Sequence, residues 1–550
     1  MRNMIVAPQP IAVEVGAQVL MDGGNAIDAA VVCALVQGIV SPHSCGLGGY
    51  ALLTMHLAQT SGGGGAHRIA AQRIAARRVA ADAPALAGAR VTPSMWEPLV
   101  IRPNPGGWGF FLRDKVNDVG YTAVCTPGTV RMLATMLERW GTLSWGQACE
   151  PAARIADEGF IVSEHLAHGW QERPDCPEKA VLMDYVNATA DGRRIYLHAD
   201  GSPYAAGELL CNPDYARTLR HLVARGPDDF YHGELAQRMA ADLAANGSYV
   251  TAEDLANYRL RDVAPVVGTY RDYTIVTAPP PHGGATLVAI LNILEGYDLA
   301  ALDHNSAAYI FLVSMAMKAA FADRNPTMAD AEFADVPLDW MTSKERALAW
   351  RRVIDAGEPI TVSFTPRGSP DTTHVSVVDR WGNCVALTHS LGSSSGAITP
   401  GLGFMYNNSM VNFYPWAGHP NSIAPGKGRT TGMTPTVIYK GDRPVMVIGA
   451  PGATRIITSM AQVIVNALDF GMSISDAVLA PRFDCEGDLI KCQARIPEFV
   501  CAQVRQRHPI TRLPQSHGGL ALVHAITIDP RTGALAGAAD TGADGMALEV

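Results

Sequence analysis

Apolar and polar residues fall into three textures along the chain. Residues 25–40 are apolar nearly all round, which predicts a buried helix; Gly23-Gly24 precede it and Ser41-Pro42 end it. Helical periodicity returns over Trp145–Glu158, Ala236–Ala245, Ala285–Leu294 and Ser306–Asp323, and Pro127-Gly128-Thr129 opens another helix. From Asp371 onward the pattern changes to short alternating runs, glycines and tight turns. Thr372-Thr373-His374-Val375-Ser376-Val377-Val378-Asp379 alternates like a strand, and Arg380-Trp381-Gly382-Asn383 turns it into a second run through Leu387. Helices over Ile456–Phe470 and Ile474–Leu479 interrupt this region, and the last strand is expected near Leu520–Ile528. Strands at both ends with helices between predict an α+β layered sandwich. Two stretches fit neither period. Ser61–Arg90, with four consecutive glycines and a near-repeat through Arg77-Arg78, reads as an exposed insertion. Residues 345–371, with Pro366-Arg367-Gly368-Ser369-Pro370, read as a flexible connector leading into Thr372.

Composition narrows the class. Of the 550 residues 48% are hydrophobic and 17% charged, which is a globular balance and excludes a largely disordered chain. The net charge is −9 and there is no long basic stripe, which argues against a nucleic-acid partner. Residues 1–10 contain no apolar stretch of signal-peptide length, and residues 26–40 carry Asp28 and Gln37 and are too short to span a bilayer. The expectation is a cytoplasmic protein without a membrane segment. The ten cysteines are scattered with no C-x-x-C pair, which fits buried thiols better than a disulfide framework or zinc ribbon. There is no H-E-x-x-H, and no metal or cofactor is expected. The loop Cys45-Gly46-Leu47-Gly48-Gly49 runs from a helix into a strand, the opposite order to a dinucleotide fingerprint.

The candidate chemistry lies at Thr372. A threonine hydroxyl is a weak nucleophile unless a base adjoins it; one solution is to cut the chain before the threonine, so that its own freed amine serves. The same residues also suit an ordinary hairpin that begins with a Thr pair. Gly392-Ser393-Ser394-Ser395-Gly396 satisfies G-x-S-x-G, but a nucleophile elbow needs a helix directly after it, and Ala397-Ile398-Thr399-Pro400-Gly401 follows instead. A loop bordering the Thr372 pocket accounts for these residues.

Eight motifs stand in order: Gly24-Asn25-Ala26-Ile27-Asp28-Ala29-Ala30, the Gly46–Gly49 loop, Pro127-Gly128-Thr129, Ala322-Asp323-Arg324, Thr372–Asp379, Asn407-Asn408-Ser409-Met410, Met433-Thr434-Pro435-Thr436, and Pro451-Gly452-Ala453-Thr454-Arg455-Ile456-Ile457. Together they resemble the γ-glutamyltransferase family of N-terminal-nucleophile hydrolases, over essentially the whole chain. The resemblance implies a four-layer αββα sandwich formed jointly by two subunits of one precursor. Cutting at Asp371-Thr372 would give a large subunit 1–371 and a small subunit 372–550. Thr372 would be nucleophile and α-amine base, Ser390 would support the nucleophile where the family usually has Thr, and backbone N–H groups of Gly452 and Ala453 would hold the oxyanion. His374 shares the Thr372 face of its strand and is either a tuning group or a core histidine.

The departures are as telling. The family's clamp on the α-amino group aligns with Gly392, Ser409 and Asn412, which lack the usual side chain, length and charge respectively. The serines that contact the α-carboxylate fall on Thr431 and Gly432. The clamping arginine falls on Ala80, with Arg78 nearby but out of register. Arg429 and Arg455 are the candidate carboxylate binders, each alternatively a structural ion pair. The resemblance therefore implies an amide hydrolase or acyltransferase acting on a small acyl amide, oxamate-like, glutaryl-like or γ-glutamyl. The alternatives are a true γ-glutamyltransferase with a variant pocket and an inactive relative that only binds.

Overall fold

Small and β-branched side chains pack face to face at the centre of the molecule, between two antiparallel sheets. The structure is a computed structural model that describes residues 2–58, 77–104, 109–364 and 371–550. The core strands are β1 (Met4–Ala7), β2 (Tyr50–Leu57), β3 (Arg77–Ala83), β4 (Arg261–Val263), β5 (Val266–Tyr270), β6 (Tyr273–Thr277), β7 (Thr373–Val378), β8 (Cys384–Ser390), β9 (Thr436–Lys440), β10 (Arg443–Gly449), β11 (His524–Ile528), β12 (Leu535–Ala539) and β13 (Met546–Glu549). The first sheet has the order β13-β1-β7-β8-β2-β3-β4, and the second β12-β11-β10-β9-β6-β5. Met4, Val6, Val378, Ala386, Val447 and Ile526 fill the space between the sheets.

Helices close both outer faces. Over the first sheet lie α1 (Pro10–Met21), α2 (Ala26–Val40), α3 (Thr129–Trp140) and α4 (Trp145–Glu158), packed on Val375, Val377, Val385 and Leu387. Over the second lie α5 (Gly284–Leu294), α6 (Ala307–Thr327), α7 (Lys344–Asp355) and α8 (Arg455–Leu468), packed on Ile275, Ile438, Met446 and Ile448. This is the expected αββα sandwich. Each sheet takes strands from both sides of Asp371-Thr372: β1 to β6 precede that bond and β7 to β13 follow it.

Several motif residues prove to be architectural. Asn25 caps α2, accepting from the N–H groups of Ile27 and Asp28 at 2.9 and 3.0 Å. Asp379 accepts from the N–H of Ala26 (2.9 Å) and from the N–H groups of Trp381 and Asn383 (3.0 and 2.9 Å), tying the β7–β8 turn to the start of α2. Asp28 in turn accepts from Thr142 and Leu143. Each satisfies orphan donors of a helix end or turn.

Three expectations need correction. Residues 59–76 lie outside the described residues, but Arg77–Ala83 is a core strand, not part of an exposed insertion; it pairs with β2 and β4 and buries Ala80, Ala81 and Ala83. The stretch 365–370 also lies outside them, while Lys344–Asp355, read as connector, is a helix that buries Ala347 and Ile354. The strand near Leu520–Ile528 begins at His524 and is not the last, because β12 and β13 follow. β12 is Leu-Ala-Gly-Ala-Ala and carries no alternation of large apolar residues to read, and β13 is only four residues long, with Met546 and Leu548 as its apolar pair.

Candidate active site

Strand pairing brings Thr372 and Ser390 together. In the β7–β8 hairpin Thr373 lies opposite His389, so the residues just beyond that pair meet at the open end. Thr372 Oγ1 donates to the carbonyl oxygen of Asp371 at 2.7 Å and lies 3.0 Å from Ser390 Oγ. Ser390 Oγ is 2.9 Å from the same carbonyl oxygen and accepts from the Gly392 N–H at 2.9 Å. That N–H occupies a lone pair of Ser390, so its single proton is directed at Thr372 or at the Asp371 carbonyl. Gly49 lets the glycine loop come this close: a Cβ there would stand 2.4 Å from the Ser390 carbonyl oxygen.

Thr372 is buried on the wall of a cavity of about 530 Å³. Gly452 and Arg455 line the same cavity, with Ser393, Asn408, Asp118 and Tyr185. Pro451–Thr454 is a tight turn that opens α8, with Gly452 at φ +135° and Ala453 at φ +58°. A Cβ on Gly452 would sit 2.6 Å from Ala521 Cα, so glycine is required here for two reasons. The N-terminal end of a helix of this length adds positive potential, suited to a developing oxyanion.

Of the other predicted residues only Arg455 lines this cavity; Gly392, Ser409, Asn412, Arg429, Thr431 and Gly432 do not. Gly392 serves Ser390 through its N–H. Ser409 and Asn412 sit on one short 3-10 turn and are fully buried, with the Ser409 N–H donating to Asn407 Oδ1 at 3.1 Å. Thr431 Oγ1 pairs with His282 Nδ1 at 2.7 Å, and its carbonyl accepts from Arg324 Nη2 at 2.9 Å. Gly432 packs on the Ala453 carbonyl, where a Cβ would approach to 2.1 Å. Arg429 is buried over the Tyr50 ring, 4.7 Å from its centroid, and donates to the Tyr50 hydroxyl and the Thr430 carbonyl. Arg455, on the cavity wall, donates to the Gly519 carbonyl at 2.7 Å. Arg78 stacks on Tyr439 and Ala80 is buried in β3, so neither lines the cavity.

His374 is a core histidine. Its Nδ1 is 2.8 Å from Thr388 Oγ1 and its Nε2 2.9 Å from Ser376 Oγ, and burial holds its pKa well below the ordinary value. The G-x-S-x-G segment has no helix after it; Ser394 is buried at φ +65° with its hydroxyl on the sulfur of Met405.

Sequence reasoning missed a polar chain behind Thr372. Ser393 Oγ donates to Asp371 Oδ2 at 2.7 Å, and the Ser393 N–H donates to Asn408 Oδ1 at 3.0 Å. Asn408 Nδ2 donates to Asp118 Oδ1 at 2.7 Å, which also receives the Tyr185 hydroxyl at 2.9 Å. The pair Asn407-Asn408 was the available signal. Asn407 joins the Gly48 carbonyl to both backbone groups of Cys125, and Asn408 carries the chain just described.

Comparison with known proteins agrees with this geometry. The family model described as gamma-glutamyltranspeptidase matches residues 12–550. The chain is 36% identical to the acylase ACY 1 proenzyme of Pseudomonas sp. (strain SE83), over 100% of this chain and 94% of that protein. It is 34% identical to the glutathione hydrolase proenzyme of Pseudomonas sp. (strain A14), over 88% of this chain and 81% of that one. The solved cephalosporin acylase from Bacillus halodurans matches at TM-score 0.83 and 26% identity, covering 100% of this chain and 95% of its own. With a threonine at the head of a central strand in an αββα sandwich, the chain belongs to the gamma-glutamyltranspeptidase family and is an N-terminal-nucleophile hydrolase.

Proposed function

We propose that this chain cuts itself between Asp371 and Thr372, and that the mature enzyme transfers a small acyl group, other than a standard γ-glutamyl group, from an amide to water or an amine. The three-way contact of Thr372 Oγ1, Ser390 Oγ and the Asp371 carbonyl oxygen carries this reading. In the first step Thr372 Oγ1 attacks the Asp371 carbonyl carbon, the C–N bond breaks, and the resulting ester is hydrolysed to free the Thr372 amine. In turnover that amine, with an ordinary pKa near 8, takes the hydroxyl proton as Thr372 attacks the substrate amide. The N–H groups of Gly452 and Ala453 hold the oxyanion, Ser390 orients the nucleophile, the leaving amine departs protonated, and water releases the acyl group.

The substrate reading rests on the second cluster. At the positions aligned with the amino-acid clamp, Gly392, Ser409 and Asn412 bring no charge, and Arg429 is engaged with Tyr50. A site built for a charged amino-acid head loses several kcal/mol of recognition without its partners. The first relatives named above include an acylase proenzyme, which agrees with this reading. Residues 1–371 and 372–550 form the two subunits, and because both sheets are shared, cutting leaves them associated.

Intact mass under denaturing conditions tests the first claim. Two fragments of roughly 39 and 19 kDa, the smaller beginning at Thr372, are expected from a 58.5 kDa chain. A single species that stays whole on incubation overturns it. A substrate panel tests the second: glutathione turnover as efficient as that of small acyl amides overturns the substrate reading.

A further inference from the structure

In the proposed self-cutting step Asp371 is itself the acyl donor. Its carbonyl carbon becomes esterified to Thr372 Oγ1, the bond that any substrate acyl group forms later. The place where the Asp371 side chain rests is therefore a record of where an acyl side chain fits, and that place is built. Asp371 Oδ2 accepts from Ser393 Oγ at 2.7 Å. Ser393 is buried, and Asn408 fixes its backbone and is anchored in turn on Asp118. Ser393, Arg455 and His165 line the same cavity as Asp371 and Thr372. Burial raises the Asp371 carboxyl pKa, and the Ser393 hydrogen bond and the nearby Arg455 offset this only in part. The geometric contacts, the Ser393 hydrogen bond and Arg455 on the same wall, are what define the seat.

Resting on the reading above, we propose that this carboxylate seat is the acyl-recognition subsite of the mature enzyme, and that it takes an acyl group whose carboxylate is separated from the reacting carbonyl by two carbons. Succinyl and aspartyl amides have this geometry, since it is that of Asp371 itself. Glutaryl groups are one carbon longer, and uncharged acyl groups lack the carboxylate. Cutting separates Asp371 from Thr372, which makes the seat exchangeable for a substrate carboxylate. The chemistry balances without a further reactant. Thr372 Oγ–H adds to the amide carbon, the C–N bond breaks and the amine leaves with that proton. Water then cleaves the ester, releasing succinate and restoring the hydroxyl.

The test compares 4-nitroanilides of succinate, glutarate, butyrate and γ-glutamate as substrates of the mature enzyme. The expected result is a kcat/KM for succinyl at least about tenfold above butyryl and above glutaryl, because a polar site left unpaired is penalised. Ser393→Ala and Arg455→Gln should each shrink the succinyl-to-butyryl ratio by about threefold to tenfold. Free succinate should compete at lower concentration than free butyrate, a readout that still reports if Ser393→Ala fails to cut itself. An active enzyme with a ratio near one, or a ratio that neither variant moves, overturns the carboxylate seat and leaves the acylase reading standing. Fastest turnover of the γ-glutamyl anilide, or turnover of none of the four, overturns both.

Discussion

The surroundings of Thr372 and the cluster at residues 409–412 and 429–432 are both buried and both rich in hydroxyls and amides, yet they spend their hydrogen bonds differently. Around Thr372 the polar groups converge on one carbonyl carbon: two hydroxyls lie within 3.0 Å of the Asp371 oxygen. In the second cluster the hydrogen bonds present hold backbone: the Thr431 carbonyl is held by Arg324 and the Asn412 carbonyl by Asn421. Arg429 sits over the Tyr50 ring, and the Ser409 hydroxyl and Asn412 amide are buried without a hydrogen-bond partner among the described residues. Motifs equally prominent in the sequence therefore separate in space, and the motif at residues 407–410 is split between the two: Asn408 joins the chain behind Thr372, and Ser409 lies in the second cluster.

Substitutions at four positions and one titration sharpen or break this contrast. Thr372→Ala should abolish both cutting and turnover, a loss of at least about 10⁴-fold, read by intact mass and initial rates. Residual turnover within tenfold of wild type would place the chemistry elsewhere. Ser390→Ala should slow cutting and turnover by roughly 10²-fold to 10³-fold, with Ser390→Thr restoring most of the rate because the hydroxyl is kept. Gly452→Ala should destabilise the fold by about 2 kcal/mol and lower kcat, since φ +135° and the 2.6 Å approach to Ala521 both oppose a side chain. An unchanged melting temperature would contradict the strain argument.

The titration concerns the histidines around β7. Burial lowers the pKa of His374 well below the ordinary 6.5, that of His389 to about 3 and that of His524 to about 4. In the unfolded chain each binds a proton near pH 6.5, so between that pH and the folded pKa the unfolded state holds more protons. Stability is thus complete above about pH 6.5 and falls as the pH drops, by roughly 1 kcal/mol per histidine per pH unit. Urea midpoints between pH 7.5 and pH 5 measure this, and a flat profile would mean that these residues are not buried neutral. The smallest effect belongs to the second cluster. Asn412→Asp should raise the γ-glutamyl-to-acyl ratio of kcat/KM by about threefold to tenfold while lowering stability, because a carboxylate without a partner is buried there.

Much of this arrangement is legible in the sequence, for identifiable reasons. Residues 26–40 are apolar nearly all round because α2 is enclosed between the first sheet and other helices, and composition alone reveals that. Thr372 and Ser390 are eighteen positions apart, yet they meet across a hairpin whose turn is written in Arg380–Asn383. What the sequence conceals depends on contacts between distant residues. Asn408 reaches Asp118 across 290 positions, and Ser393 reaches Asp371 across 22, with no periodicity to announce either. Strands β3, β12 and β13 are hidden for another reason: β3 and β12 use alanine where a strand usually shows large apolar residues, and β13 is only four residues long.

The shared sheets have a consequence for the history of the molecule. The intact chain folds as one body, with every strand tethered to its neighbours at high effective concentration. A cut at Asp371-Thr372 would leave β7 and β8 between β1 on one side and β2 on the other, strands that belong to the other piece. Once denatured, such a pair must find each other by diffusion before either sheet can close, so recovery would depend on concentration where that of the uncut chain does not. Maturation would make assembly a one-way passage: the mature form is reachable through its precursor and is not readily rebuilt from its parts.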